Sequence, residues 1–387
     1  LQHHFHPDQG EDNADREVPT KDYARQYAGL VPELLEDIAE ALLHDNPILG
    51  KAVQEFEEKF ATAMGSAFAV GVNSGTDALI LGMQQAGIGK GDEVITQANT
   101  FFATISAIRL VGATPILVDC LEESPAMDID QVEAVVTPKT KAVIAVHMHG
   151  LVNPMSRIET YCRRQGLWLL EDCAQAHGAM DEDGVPVGTR GRFGAFSFHP
   201  SKNLGAFGDA GAILCQEFNF AEGIRQRRNL GKSGKHQQEV LGWNSKLDTL
   251  QAVVLNRRLP SLAKENMRRR TLAGRYSRAL HSLEGLRIPT AAPGTTPVFH
   301  HYPVLHPKRD ELGDFLLAKG VRSSLHYPVP SHLQPAAIDL GYVKGSFPHA
   351  ERRAAQGLSL PMAAELHDEE VDRVIAAVQA FCQGAKA

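Results

Sequence analysis

The chain is 387 residues long, 43% hydrophobic and 22% charged, an ordinary globular composition. It exceeds the roughly 250–300 residues that one hydrophobic core organises, so a large and a smaller domain are expected. The formal net charge of -7 argues against nonspecific binding to nucleic acid or an anionic membrane, which needs clustered Lys and Arg.

The chain opens on Leu1-Gln2-His3-His4-Phe5-His6, without the basic-then-apolar order of a signal peptide. These histidines read as a tail rather than a metal site, and residues 1–20 are expected to be flexible. Leu30, Leu34, Leu35, Ile38 and Leu42 recur at helical spacing and predict one amphipathic helix over 23–43. Asn46-Pro47-Ile48-Leu49-Gly50 reads as a turn. A second helix over 53–64 places Phe56 and Phe60 on one face.

Short apolar runs then alternate with helical stretches. Strands are predicted at 68–72, 93–96, 114–118, 142–146 and 167–170, with helices at 76–86, 104–111 and 157–165. This alternation predicts an α/β fold with a parallel sheet covered on both faces. Ligands of such sheets bind beyond the carboxyl ends of the strands, where Asp119, His147 and Asp172 fall. The Gly-rich stretch 191–211 is expected to hold short strands around a loop, and 247–259 to be helical. After about Lys264 strands thin out and prolines increase, starting from a basic helix with Met267-Arg268-Arg269-Arg270. The division is therefore 1–20 tail, 21–264 N-terminal helices and large domain, and 265–387 small C-terminal domain.

No apolar run approaches the roughly 20 residues that span a bilayer. Five cysteines (Cys120, Cys162, Cys173, Cys215 and Cys382) are scattered and lack any CxxC spacing. They read as reduced thiols of a cytoplasmic protein with no zinc site.

Three stretches carry chemistry. In Phe196-Ser197-Phe198-His199-Pro200-Ser201-Lys202-Asn203 a lysine lies in a mostly apolar run. Desolvation lowers the proton affinity of such an amine and makes it nucleophilic. Alone, it also reads as a lysine reaching out of a loop. In Glu171-Asp172-Cys173-Ala174-Gln175 a carboxylate at a strand end suits the ring nitrogen of pyridoxal phosphate, or equally a helix cap. In Asn73-Ser74-Gly75-Thr76-Asp77 a strand gives way to a helix, whose free N–H groups suit a phosphate. Neither GxGxxG nor GxxxxGK[ST] occurs, which argues against a nicotinamide oxidoreductase or an ATP site.

Taken together, the order of motifs resembles the DegT/DnrJ/EryC1/StrS sugar aminotransferase family, within the fold-type I pyridoxal-phosphate enzymes. The resemblance runs from about Lys21 to Leu366. It includes Ile48-Leu49-Gly50, Gly91-Asp92-Glu93-Val94, Asn99-Thr100-Phe101-Phe102-Ala103-Thr104, Gly112-Ala113-Thr114-Pro115, Gly242-Trp243-Asn244-Ser245-Lys246-Leu247-Asp248 and His326-Tyr327-Pro328-Val329-Pro330, besides the three stretches above. It implies a mixed, mostly parallel seven-stranded sheet between helices and a smaller α+β C-terminal domain.

The resemblance also implies roles. Lys202 bonds the cofactor aldehyde and later shuttles a proton. Asp172 holds the ring nitrogen and Phe101 stacks on the ring. Gly75, Thr76 and Ser197 bind the phosphate, and Gln175 meets the 3-hydroxyl edge. Asn244 reaches the phosphate of a neighbouring subunit, which implies a homodimer with shared sites. His326 and Tyr327 face the sugar, and L-glutamate is the expected amino donor. No metal is expected.

The extended motif is most similar to members that aminate C3 of dTDP-3-keto-6-deoxyhexoses. Lys235-His236 stands where such members often carry Lys-Tyr, and Lys246 where they often carry Arg, so a C4-keto substrate stays open. A sugar dehydratase of the same fold carries histidine in place of the lysine, which Lys202 argues against. A non-catalytic pyridoxal-phosphate-binding regulator is the remaining alternative.

Overall fold

The computed structural model describes residues 17–234 and 236–384. The flexible tail expected for residues 1–16, including His3, His4 and His6, lies outside them, as does Lys235. Residues 17–20 contradict the tail expectation. Val18 is fully buried, pairs with Val321, and its N–H donates to Gly320 O at 2.7 Å. A single β-branched residue at the edge of a core carries no periodicity that sequence could reveal.

Helix α1 (Tyr23–Ala28) and helix α2 (Val31–His44) replace the single predicted helix. The break falls at Gly29–Leu30 because Pro32, which has no N–H to donate, belongs in a helix's first turn and restarts the helix there. Helix α3 (Lys51–Ala63) follows the predicted turn, and Asp45 caps it by accepting from Lys51 N (2.7 Å) and Ala52 N (3.0 Å). Then come β1 (Phe68–Val72), α4 (Gly75–Gln85), β2 (Glu93–Gln97), α5 (Phe102–Leu110), β3 (Thr114–Val118), α6 (Ile129–Val135), β4 (Thr140–Val146), α7 (Met155–Gln165) and β5 (Trp168–Asp172). The Gly-rich stretch supplies β6 (Gly194–Ser197) and β7 (Gly211–Cys215). Helices α8 (Phe218–Arg227), α9 (Thr249–Arg258) and α10 (Leu262–Leu280) lead to β8 (Tyr302–Leu305), α11 (Arg309–Ala318), α12 (Pro348–Gln356), β9 (Gly357–Leu360) and α13 (Asp368–Cys382).

Strands β1 to β7 form one sheet in the order β1-β7-β6-β5-β4-β2-β3. Strand β7 runs antiparallel to both neighbours and every other pairing is parallel. The sheet is thus mixed and mostly parallel, α/β, with helices on both faces. Phe56, Phe60, Ile158 and Leu255 bury one face through α3, α7 and α9. Leu79, Leu81, Ile108 and Ile224 bury the other through α4, α5 and α8. Because β7 reverses twice, β1 points the same way as β6. The carboxyl ends of β1, β2, β4, β5 and β6 therefore open on one edge of the molecule.

The C-terminal unit pairs β8 with β9 antiparallel and packs α10, α11 and α13 around Leu272, Tyr276, Leu312, Leu316 and Val374, with Val18 joining from the N-terminus. The boundary expected at 264/265 falls inside α10. The basic run at 267–270 is the middle of that helix, whose Leu262 belongs to the large core and Leu272 to the small one. No helix among the described residues is long and apolar enough to cross a membrane.

Candidate active site

Asp172 is the last residue of β5 and is buried. Its Oδ2 accepts from Thr104 Oγ1 at 2.8 Å and its Oδ1 from Ala174 N at 3.1 Å. Burial pushes its carboxyl above the usual carboxylate range. The two hydrogen bonds and the Lys202 and His147 charges pull the other way. Thr104 spends its one proton on Asp172, so Thr100 Oγ1, 2.7 Å away, is the donor in the Thr100–Thr104 contact. Ser331 Oγ in turn donates to Thr100 O at 2.6 Å. The loop after His326 is thereby tied to Asp172 through two threonines.

Lys202 lies in the loop between β6 and β7, where its N–H closes a turn onto His199 O at 2.8 Å. Burial lowers its ammonium to about 8, while the Asp172 charge works to raise it. An amine that titrates near neutrality, within reach of a buried carboxylate's charge, is prepared both to attack a carbonyl carbon and to carry a proton.

An anion cradle closes the other side. Ser74 caps α4 by accepting from Asp77 N at 3.1 Å. The amides of Gly75 and Thr76, in the first turn, have no acceptor within the helix. A Cβ on Gly75 would sit 2.6 Å from Ser197 Cβ, so only glycine lets the helix N-terminus meet the β6 end so closely. Phe101, the residue before α5, leaves 50% of its surface exposed, and its ring lies 5.1 Å from that of Tyr327. A buried carboxylate and amine, a half-open aromatic face and a cradle of free amides fit a phosphorylated pyridine aldehyde.

Gln175 is buried and makes two side-chain hydrogen bonds within the protein. Its Oε1 accepts from His149 N at 2.6 Å, and its Nε2 donates to Tyr327 OH at 3.3 Å. His326 stacks on His301 with ring centroids 3.7 Å apart, and its Nδ1 meets Ser359 Oγ at 2.9 Å. Burial, with the Lys202 charge, lowers His326 to about 4, so its imidazole is neutral at physiological pH. Asn244 stands apart, exposed on the surface, where Lys246 Nζ donates to its Oδ1.

Two of the three residues expected at strand ends turn elsewhere. Asp119 accepts from His349 N and Ala350 N, each at 2.8 Å, and so caps α12. His147 faces Glu171, 3.3 Å away, on the opposite side of β5. Glu171 also accepts from the amides of Gly188, Arg190 and Gly191. Residues not singled out from sequence border these groups: Thr104 on Asp172, His149 on Gln175, His177 on Ser197, His301 on His326, and His300 on His301 and Asn203. His177 Nε2 lies 2.8 Å from Ser197 O, which can only accept, so this nitrogen carries the proton. Only Thr104 sits within a stretch recognised as a motif, and His177 lies two residues after another, Glu171–Gln175. His149 lies in a single 3-10 turn (Met148–Gly150), and His300 and His301 lie in a loop without pattern.

Thr104→Val keeps the shape and removes the donor to Asp172. It is expected to lower the turnover number about 5- to 10-fold, with little change in melting temperature. Steady-state kinetics beside a thermal melt check both.

The profile of the DegT/DnrJ/EryC1/StrS aminotransferase family matches residues 30–379. The chain is 41% identical over 366 residues to a pleiotropic regulatory protein of Geobacillus stearothermophilus, covering 94% of this chain and 98% of that one. It is 42% identical over 366 residues to a dTDP-3-amino-3,4,6-trideoxy-alpha-D-glucose transaminase of Streptomyces venezuelae, covering 95% and 96%. Its fold matches the crystal structure of S. venezuelae DesV in complex with a ketimine intermediate, with a TM-score of 0.93, 41% identity and coverage of 96% and 100%. It also matches NtdA of Bacillus subtilis with bound cofactor PMP, with a TM-score of 0.86, 28% identity and coverage of 97% and 86%.

Proposed function

The chain belongs to the DegT/DnrJ/EryC1/StrS aminotransferase family, and we propose that it moves the amino group of L-glutamate to C3 of a dTDP-linked 3-keto-6-deoxyhexose. It is a pyridoxal-phosphate-dependent sugar aminotransferase. The observation that carries the catalytic reading is that the loop after β6 and the end of β5 bring the Lys202 amine and the Asp172 carboxylate into one buried site, close enough for each charge to act on the other. Bound there, the cofactor supplies an electron-withdrawing ring and a carbon that carries nitrogen between two substrates.

The protein's own groups do the rest. Lys202 Nζ would hold the cofactor and would carry one proton in each half-reaction. Asp172 holds a negative charge against the ring nitrogen, and Thr104 fixes the orientation of that carboxylate. Phe101 covers the ring. The Gly75 and Thr76 amides, with Ser197, take the phosphate, and Gln175 borders the 3-hydroxyl edge. His326 and Tyr327 receive the sugar, held by Ser359 and Gln175 respectively. The exposed Asn244 is assigned to the phosphate of a second copy, in a homodimer with shared sites.

The similarity to a 3-amino-sugar transaminase supports C3 amination. Lys246, in place of the family's frequent Arg, keeps a C4-keto substrate as the second reading. The test offers C3-keto and C4-keto sugar nucleotides separately with glutamate and locates the new amine by mass spectrometry and NMR. Amination at C3 alone is expected. Amination at C4 alone would replace this reading with the second. If glutamate left the visible spectrum of the holoprotein unchanged and neither sugar reacted, the binding-regulator alternative would take its place.

A further inference from the structure

We propose that Lys21 and Arg258 form a cationic clamp on the loop that carries Lys202, and that Lys21 is a positioning residue through which the N-terminal segment ties that loop to the C-terminal unit. In the loop between β6 and β7, Phe198 O and His199 O accept from the loop's own amides of Ala206 and Lys202, and four further carbonyls accept from side chains outside the loop. Lys21 Nζ donates to Pro200 O at 3.0 Å and to Lys202 O at 3.4 Å. Arg258 Nη1 donates to Gly205 O at 2.9 Å and its Nη2 to Asn203 O at 3.3 Å. Two cations from distant parts of the chain thus hold four carbonyls of one short loop, including that of Lys202 itself. Buried carbonyls require such partners, and charged donors make the stronger bonds.

Both cations are anchored. Arg258 is buried, lies 3.2 Å from Glu265 and covers the ring of Tyr27. Tyr27 in turn meets Phe207, in the same loop, with ring centroids 4.9 Å apart. Lys21 sits between two attachments of the N-terminal segment to the C-terminal unit. Before it, Val18 pairs with Val321. After it, Asp22 N donates to Glu365 Oε1 at 3.1 Å, and Arg25 pairs with Glu370 on α13 at 2.8 Å. Burial and the neighbouring Arg269 bring Lys21 down to about 7, against the pull of Glu365. Its amine keeps N–H donors in either charge state, and it grips the carbonyls most strongly while it is charged.

The role rests on Lys202 being the reacting amine, because the backbone that Lys21 grips sets where that amine can reach. Lys21→Met fills the same space and offers no donor to either carbonyl. Hydrogen exchange read by mass spectrometry, on protein with and without cofactor, is expected to quicken about fivefold or more over residues 199–207. Strands β4 and β5 should be unaffected. In the holoenzyme kcat is expected to fall roughly 10- to 100-fold, with KM for glutamate within about twofold. Lys21→Arg should restore most of both. Exchange over 199–207 that stays unchanged, or that rises equally in β4 and β5, would overturn the clamp. Should Lys21→Met not fold, Lys21→Ala is read by the same exchange comparison. A wild-type protein that does not transaminate would sink the proposed function, while the exchange result would still decide the clamp.

Discussion

Replacing Lys202 by Ala or Arg is expected to lower transamination roughly 10,000-fold or more, since one amine supplies both the covalent bond and the proton transfer. The two variants separate charge from nucleophilicity. Arg keeps a cation near Asp172 but stays protonated and cannot bond a carbonyl carbon. Ala removes both. If nucleophilicity is what matters, the two fail equally in single-turnover reactions with glutamate. A variant retaining more than about a hundredth of the wild-type rate would remove Lys202 from the mechanism.

The same lysine has a signature in stability. In the unfolded chain it titrates near the ordinary 10.5, and in the folded chain at about 8. Between these values the unfolded state binds more protons, so its contribution to stability rises with pH across that window. Below it, the folded protein carries the full cost of a buried ammonium. Lys202→Met should therefore raise the melting temperature of the cofactor-free protein at pH 7, with the gain shrinking as the pH approaches 10.5. An equal melting difference at every pH would contradict the cause assigned to the shift, which is burial.

What sequence reveals here follows from how local each feature is. The strands were legible as short apolar runs ending in polar residues, and the cradle at Gly75 and Thr76 because a strand end and a helix start are adjacent in the chain. The place of β7 between β1 and β6 was not legible, since it joins segments some 140 residues apart. Helices α6 and α8 were missed for want of a continuous stripe: α6 buries only Ile129 and Val132, and α8 only Phe220, Ala221 and Ile224. Asp119 and Asp172 look alike in sequence, both acidic and both at strand ends. They differ because Asp119 meets the amides of a helix 230 residues downstream, a contact that no local pattern announces. For the same reason Lys21 and His301 could not be picked out. Lys21 acquires its meaning from carbonyls about 180 residues away, and His301 from His149, 152 residues away, together with the ring of His326.

Asp172→Asn is expected to lower kcat roughly 100- to 1,000-fold, the range for removing one preorganised electrostatic partner from a buried site, with KM for the sugar nucleotide little changed. The side chain keeps its volume and loses its charge. Both carboxylate oxygens now accept, one from Thr104 Oγ1 and one from Ala174 N. An amide offers a single acceptor, and the fixed N–H of Ala174 claims it. The amide NH2 then points at Thr104, whose hydroxyl must turn round to accept. Thr104 thus helps Asp172 only as long as Asp172 is a carboxylate. In the Asp172→Asn background, Thr104→Val should cost almost nothing, whereas in the wild type it costs about 5- to 10-fold. A double-mutant cycle on kcat reads this coupling directly. Equal losses in both backgrounds would show that Thr104 acts by packing and not through the carboxylate. A single Asp172→Asn variant within tenfold of wild type would mean that the buried charge is not what the reaction uses.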